Sequence, residues 1–220
     1  KGVHGVWPVP VDAVIGQIQV TLADIGADVI KTGMLGSAVL VEAIAECLAE
    51  AASMAPRVID PVMVATSGDR LVDAKAIEAI RSELVPRARL VTPNAPEAEV
   101  LTGKVVETVD GQRRAAERLL ELGAHGALVK GGHIGGNKIT DVLQTTTGEW
   151  IFESPRIVTM STHGTGCTLA SAIATHLAQG ASVPDAVERG RDYLIGAIRA
   201  AKSFGKGHGP VNHGWVLDSE

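Results

Sequence analysis

The sequence is poor in cysteine and in aromatic side chains. Its 220 residues include two cysteines, Cys47 and Cys167, and only 3% are Phe, Tyr or Trp. Two cysteines in a chain of this size exclude a disulfide framework and favour a reducing, cytoplasmic compartment. The shortage of aromatic rings removes the stacking surface on which single-stranded nucleic acids bind.

The sequence also lacks long apolar runs and clusters of basic residues. No uninterrupted apolar stretch reaches the ~20 residues that cross a bilayer, and no basic and apolar leader opens the chain. Lys and Arg are scattered and the formal net charge is −5, which is not the footprint of a nucleic-acid-binding surface. We therefore expect no nucleic-acid and no membrane partner, and small phosphorylated ligands held locally by helix N-termini and a few cations.

The chain does contain a clear alternation of short β-branched runs with helical periods. This pattern predicts an α/β fold with a mainly parallel central sheet and helices on both faces, in one domain over 1–220. From Ile139 to Val158, strands joined by a turn at 147–149 predict a small antiparallel edge ribbon. The predicted parallel strands are 28–34, 57–62, 89–92 and 127–130. Helix starts are predicted near Ser37, Asp73, Asn94, Asp110 and Ser182.

The most informative motif is Ser161-Thr162-His163-Gly164-Thr165-Gly166-Cys167-Thr168, which runs into the apolar segment LASAIATHLAQG. Glycine-spaced turns leading into a helix supply backbone N–H groups that have no partner within the helix. Such a helix N-terminus binds anions and favours the thiolate form of a cysteine placed there. The motif predicts an anion cradle with Cys167 ready for proton chemistry.

Four further polar motifs lie where predicted strands end. In open α/β sheets, ligands bind at this carboxyl edge, so the four loops are expected to converge there. They are Lys31-Thr32-Gly33-Met34-Leu35-Gly36-Ser37, Asp60-Pro61-Val62-Met63, Thr92-Pro93-Asn94-Ala95-Pro96-Glu97 and Lys130-Gly131-Gly132-His133.

Taken in order along the chain, KTGMLGS, DPVMVATSGD, TPNAPEAEVLTG, VKGGH, THGTGCT and GHGPVNH resemble the hydroxymethylpyrimidine kinase / phosphomethylpyrimidine kinase family of thiamine biosynthesis, within the ribokinase-like superfamily. The resemblance implies a ribokinase-like fold and two successive phosphoryl transfers from MgATP. The first goes to the hydroxymethyl group of the pyrimidine and the second to the resulting monophosphate. It also implies a homodimer.

The same resemblance assigns roles to residues of this sequence. Asp60 and Glu97 are similar to the carboxylates that organise Mg²⁺, for which oxygen ligands are suitable. Cys167 stands where relatives carry the catalytic base. The backbone amides of Gly164, Thr165, Gly166 and Cys167 are expected to stabilise charge on the transferred phosphoryl group. Residues expected to bind ATP phosphates are Asn94, Lys130, Gly131, Thr162 and His163; those expected to contact substrate are Gly33, Met34, Val62 and Cys167.

Each of these residues also has a local interpretation. Asp60 and Asn94 favour turns beside prolines, Lys130 is of a type that usually lies in solvent, and Met34 and Val62 suit an apolar core. For the whole chain, a pyridoxal or pyridoxine kinase of the same branch is the alternative, and a non-catalytic ligand-binding relic of the fold is another. Members of the family usually begin with a glycine-rich segment that nothing before Lys1 matches, so we expect the chain to be N-terminally incomplete.

Overall fold

A six-stranded sheet organises the molecule. The computed structural model describes residues 5–63, 71–202 and 204–217. The strands are ordered β1-β2-β3-β4-β5-β6; β1 to β4 are parallel, β5 runs antiparallel to β4, and β6 antiparallel to β5. This is the predicted parallel sheet with an antiparallel edge ribbon. The strands are β1 (Ile30–Thr32), β2 (Arg57–Ile59), β3 (Leu90–Val91), β4 (Gly126–Val129), β5 (Lys138–Thr145) and β6 (Gly148–Pro155).

Helices cover both faces of the sheet because successive strand residues point to opposite sides. Ile59, Val91 and Ala127 pack with α2 to α5 on one face. On the other face, Leu90 and Leu128 pack with α6 and α7. The helices are α1 (Val11–Asp24), α2 (Ala38–Ala51), α3 (Ala74–Ala79), α4 (Ala95–Thr102), α5 (Val109–Glu121), α6 (Thr165–Ala178) and α7 (Val183–Arg199).

Most predicted helix starts are confirmed by side-chain caps. The side chains of Ser37, Asp73 and Ser182 accept hydrogen bonds from the backbone N–H groups of Leu40, Ala76 and Asp185. The prediction that Asp110 opens α5 is wrong by two positions. Thr108 is the N-cap, with its hydroxyl accepting from the N–H of Gly111, and Asp110 lies in the first turn.

Three other segments differ from the sequence prediction. The helix expected to run from Asp73 past Leu84 is split into α3, a π turn (Ile80–Leu84) and a 3₁₀ turn (Val85–Arg87) that contains Pro86, which has no N–H to continue a helix. The hairpin turn is at 146–147, so Gly148 already belongs to β6. Helix α1 was not predicted at all. No helix among the described residues has both the length and the apolar character to cross a membrane.

Candidate active site

Four side chains line the carboxyl edge of the parallel strands on the α6 face. Val29, Val58, Leu90 and Leu128 belong to the apolar clusters that contain α6 residues. Two residues further along each strand the side chain returns to the same face. The four residues at those positions are Lys31, Asp60, Thr92 and Lys130. Strand alternation therefore produces a polar row above the apolar contact with α6.

Asp60 is the centre of this row. Its side chain is 1% exposed, and its Oδ1 accepts hydrogen bonds from the Thr92 hydroxyl at 3.2 Å and from Lys130 Nζ at 3.3 Å. Lys31 Nζ lies 3.7 Å from Oδ2. Oδ2 is buried and has no hydrogen-bond partner among the described residues. One carboxylate thus faces two ammonium groups while keeping an unused acceptor oxygen.

The N-terminus of α6 faces the same row. Gly164 is its N-cap, with a φ of 78°, and no side chain caps the helix. Within the described residues, nothing accepts a hydrogen bond from the backbone N–H groups of Thr165, Gly166 or Cys167, since the first helical bond runs from Thr168 to Gly164. A Cβ on Gly166 would lie 3.5 Å from Lys130 Nζ. Asp60, Lys130 and the three free amides are therefore adjacent.

Lys130 remains a cation in this setting. Burial acts to lower its pKa, but the nearby carboxylates of Asp60 and Glu97 outweigh that effect and the pKa is raised. For Glu97, which is 5% exposed, burial is the largest influence and raises the pKa, against the opposing effect of Lys130. The two groups thus act on each other across the site.

Asn94 and Glu97 also have a structural role. They form a capping box at the start of α4: Asn94 Oδ1 accepts from the N–H of Glu97 at 2.9 Å, and Glu97 Oε2 accepts from the N–H of Asn94 at 2.8 Å. The prediction that a helix starts near Asn94 is therefore confirmed. Glu97 retains one carboxylate oxygen outside the box.

Packing explains the first glycine of the pair after β4, Gly131, but not Gly132, where an added Cβ would have no neighbour within 4 Å among the described residues. A Cβ on Gly131 would lie 2.0 Å from the carbonyl oxygen of Thr140, so the position is closed to every other residue type. The N–H of Gly131 donates to Asp141 Oδ1 at 2.8 Å, which takes this amide away from any phosphate. Gly131 is thus a packing residue, and its predicted phosphate contact is not supported by its backbone geometry.

The late GHGPVNH motif closes against the loop before α6. The N–H of His163 donates to the carbonyl of Gly209, and the N–H of Gly209 donates to the carbonyl of Met160. The hydroxyl of Thr162 is 3.0 Å from His208 Nδ1. Thr162 and His163 therefore hold the cradle in place through these contacts.

The residues present fit a magnesium ion bound together with a triphosphate. No group of three or more His, Cys, Asp or Glu side chains in the described ranges makes a metal centre by itself. Mg²⁺ usually takes one or two protein carboxylates and completes its shell with phosphate oxygens and water. Oδ2 of Asp60, which has no hydrogen-bond partner within the described part of the chain, is such a ligand. The Glu97 carboxylate, which accepts hydrogen bonds from the backbones of Asn94 and Met63, is the second carboxylate available to the ion.

A separate cavity of about 320 Å³ opens elsewhere, at the amino edge of the sheet. It is lined by Arg89, His125, Trp150 and the start of α7. It contains none of the predicted site residues, and ligands of parallel sheets bind at the opposite edge. We therefore place the active site at the row beneath α6.

A sequence model described as phosphomethylpyrimidine kinase matches residues 1–212. This chain belongs to the phosphomethylpyrimidine kinase family. Among curated relatives, a hydroxymethylpyrimidine/phosphomethylpyrimidine kinase from Streptomyces coelicolor is 47% identical over 99% of this chain and 80% of its own. The family is one of kinases, and its fold is ribokinase-like.

Solved structures of the same fold include two kinds of kinase. The ADP complex of a Bacillus subtilis pyridoxal kinase superposes with a TM-score of 0.89 at 32% identity, covering 98% of this chain and 80% of that one. A Clostridium difficile phosphomethylpyrimidine kinase gives a TM-score of 0.77 at 33% identity, covering 90% and 82%. Both support the predicted fold class.

The structure brings together Asp60, Glu97, Lys130 and the amides of Thr165 to Cys167, as the four-loop argument required. Cys167 itself is exposed at the third position of α6, whereas Cys47 is buried in α2 as expected. Of the predicted substrate contacts, Met34 is 39% exposed and Val62 is half-buried. Residues 64–69 of the motif DPVMVATSGD lie outside the described ranges.

Lys31 is the site residue that sequence reasoning missed. It begins the KTGMLGS motif, which was placed at the carboxyl edge, but its side chain was given no role. The signal was available, because strand alternation from Val29 puts Lys31 on the same face as Asp60.

Proposed function

We propose that this kinase transfers the γ-phosphoryl group of ATP first to the hydroxymethyl oxygen of hydroxymethylpyrimidine and then to the phosphate of the product. The observation that carries the proposal is that Asp60, Lys130 Nζ and the N-terminus of α6, with its free amides, lie next to one another. A buried carboxylate, a cation and unused N–H donors are the elements that phosphoryl transfer requires, because the reaction depends on positioning and charge stabilisation.

In the first transfer, the hydroxyl oxygen attacks the γ-phosphorus, and the bond from that phosphorus to the β,γ-bridging oxygen breaks to release ADP. The hydroxyl proton goes to the sulfur of Cys167, which reacts as its thiolate and is exposed at the third position of α6. The amides of Gly166 and Cys167 and the ammonium of Lys130 stabilise charge on the moving phosphoryl oxygens. Cys167 thus acts on the acceptor hydroxyl, whereas the amides and Lys130 act on the phosphoryl oxygens.

Asp60 and Glu97 are the residues that would hold Mg²⁺ in this proposal. Bound there with the triphosphate, the ion would supply neutralisation of charge on the phosphate oxygens. The protein's own contribution is the pair of carboxylates, kept in place by the Thr92 hydroxyl and by the capping box.

In the second transfer, the attacking atom is an oxygen of a phosphate monoester. The second pKa of such an ester is about 6, so the oxygen carries no proton near pH 7. A general base is then unnecessary. Cys167 is therefore proposed to serve the first transfer and to be dispensable for proton removal in the second.

ADP release measured with hydroxymethylpyrimidine and, separately, with its monophosphate tests the proposal. We expect both to be acceptors, and Cys167→Ala to lower kcat for the first by about 10²–10⁴-fold with a much smaller effect on the second. Cys47→Ala, which removes a buried thiol from α2, is the matched control and should leave both rates near wild type. An unchanged first transfer in Cys167→Ala contradicts the assignment of the base.

A pyridoxal kinase activity is the second candidate function. It is supported by the TM-score of 0.89 to the Bacillus subtilis pyridoxal kinase. Against it stands the higher sequence identity, 47%, to the Streptomyces relative. TM-score reports backbone similarity, whereas acceptor choice depends on side chains in the site, so we give more weight to the sequence. Pyridoxal as a third acceptor in the same assay separates the two functions. If kcat/KM for pyridoxal is higher than kcat/KM for hydroxymethylpyrimidine, pyridoxal kinase becomes the preferred function.

Two further properties complete the proposal. The exposed free thiol of Cys167 supports a reducing, cytoplasmic location, because a catalytic thiol is lost on oxidation. Family resemblance supports a homodimer. Sedimentation equilibrium of the purified protein tests the latter, with a monomer mass at micromolar concentration as the contrary result.

A further inference from the structure

Lys31 carries a positive charge that has no role in the proposed binding of ATP, the phosphoryl donor. Lys130 Nζ is within hydrogen-bond distance of Asp60 Oδ1, at 3.3 Å. Lys31 Nζ, at 3.7 Å from Oδ2, makes an ion pair but no hydrogen bond to any described residue. Its side chain is 18% exposed, so its three N–H donors have access to a ligand in the site.

Lys31 lies on the acceptor side of the row. The strand order places β1 at one end and β4 at the other, with Asp60 between them. The residues assigned to ATP, Asn94 and Lys130, follow β3 and β4. Lys31 precedes Gly33 and Met34, the residues assigned to the pyrimidine, and its Nζ lies 3.1 Å from the position of a Cβ on Gly33. A ligand group next to Lys31 is therefore part of the acceptor, not of ATP.

The two acceptors differ by one phosphate group, which carries a charge between about −1.5 and −2 near pH 7. The buried carboxylate of Asp60 repels such a group, and Lys130 is occupied by Asp60 and by the α6 side of the site. A second cation is needed on the acceptor side in the second transfer only. Lys31 is the lysine in that position.

We propose that Lys31 binds the phosphate of the monophosphate acceptor and thereby gives the site its capacity for the second transfer. This rests on the proposed function. In that step a phosphate oxygen of the acceptor attacks the γ-phosphorus of ATP, a new P–O–P linkage forms, and the bond to the β,γ-bridging oxygen breaks to leave ADP. Lys31 holds a non-attacking oxygen and keeps its own proton throughout.

The test is the ratio of kcat/KM for the monophosphate to kcat/KM for hydroxymethylpyrimidine. In Lys31→Met we expect this ratio to fall by about 10- to 100-fold, the loss of one hydrogen bond to a charged group. Lys31→Arg keeps the charge and should hold the ratio within about fivefold of wild type. Lys104→Met, in the exposed loop after α4, is the matched control and should leave the ratio unchanged. If Lys31→Met does not fold, Lys31→Gln takes its place.

Equilibrium binding of the two acceptors without ATP gives a second readout. Lys31→Met should weaken binding of the monophosphate more than binding of the unphosphorylated pyrimidine. A ratio unchanged in Lys31→Met, or an equal loss in Lys31→Arg and Lys31→Met, overturns the proposal. If the wild-type protein phosphorylates neither pyrimidine, it is the proposed function that fails, and this outcome is distinct from a wild type that performs both steps with an unchanged ratio in the variant.

Discussion

Two buried aspartates, Asp60 and Asp141, show how the same side chain serves function in one place and structure in another. Asp141, on β5, accepts from the N–H of Gly131 and from the guanidinium of Arg191, which in turn lies over the ring of Phe152. Asp60 accepts hydrogen bonds at one oxygen, whereas the other forms an ion pair with Lys31 and has no hydrogen-bond partner among the described residues. Full satisfaction is typical of a structural group, whereas an acceptor oxygen without a hydrogen-bond partner, lying between two lysines at the carboxyl edge of the sheet, is suited to bind a ligand.

The largest expected effect comes from the satisfied aspartate. Asp141→Asn leaves Arg191 buried and unpaired, and breaking a buried pair in this way costs about 3–5 kcal/mol of folding free energy. Urea unfolding measures the loss. The double variant Asp141→Asn/Arg191→Met should recover part of the lost folding free energy. If the folding free energy of Asp141→Asn lies within about 1 kcal/mol of wild type, as for a surface substitution, Asp141 does not have the structural role assigned to it.

Substitution of Asp60 should lower the rate of transfer as well as the stability. Asp60→Asn keeps the shape but removes the charge that faces Lys130 and the proposed metal, so we expect kcat to fall by about 10²–10³-fold, as when a group that stabilises transition-state charge is lost. Folding free energy should fall as well, by up to about 3–5 kcal/mol, because Asp60 is 1% exposed and its loss of charge leaves Lys130 without its carboxylate partner. Parallel measurements of ADP release and urea unfolding check this. A variant that loses stability but keeps its rate would reverse our assignment.

A pH dependence separates the two regions further. Burial raises the pKa of Glu97 above its ordinary value of 4.5. The folded state therefore holds a proton that the unfolded chain releases, and the stability of wild type relative to Glu97→Gln is greatest below the unfolded pKa and falls as pH rises through the folded one. The slope for one proton is at most about 1.4 kcal/mol per pH unit.

The difference in stability between wild type and Glu97→Gln is measured by urea unfolding from about pH 4, near the ordinary carboxyl pKa, up to about pH 8. Gln at this position keeps the capping box, which makes the comparison specific to charge. A difference in stability that is constant with pH would contradict the influence of burial on Glu97.

The smallest effect concerns the caps. Asn94→Ala and Thr108→Ala each remove one N-cap hydrogen bond and should each cost about 1 kcal/mol of folding free energy. Thr108 caps α5 away from the site, so it is the matched control. Only Asn94→Ala should also raise KM for ATP. If the two variants have the same KM, Asn94 acts as a cap alone.

Much of this architecture was predictable because strand and cap chemistry is local. Ser37, Asp73 and Ser182 are residue types that commonly cap helices, and each caps the helix predicted to start there. The ends of the parallel strands meet at one edge of the sheet, as predicted. Helix α1 was missed although Val11, Ile15, Ile18 and Leu22 have helical spacing. It starts at Pro10 without a side-chain cap and buries none of its residues, which makes its signal weak.

The site residues were harder to predict in proportion to how far their partners lie along the chain. The pairing of Asp60 with Lys31 and Lys130 joins three strands, and the steric demand at Gly131 comes from Thr140 on the ribbon. From the motifs alone, Gly131 was predicted to bind phosphate and Lys31 was assigned no role. Strand alternation, applied from each apolar residue that packs on α6 to the next position on its face, selects the row of Lys31, Asp60, Thr92 and Lys130.

A crystal structure of the protein with a non-hydrolysable ATP analogue and hydroxymethylpyrimidine is the most direct test of the central claim. We predict that the γ-phosphate accepts hydrogen bonds from the backbone N–H groups of Gly166 and Cys167 and from Lys130 Nζ, with the hydroxymethyl oxygen on the Lys31 side. A triphosphate bound away from the α6 N-terminus, with Asp60 and Lys130 unchanged beneath an empty cradle, would contradict the account.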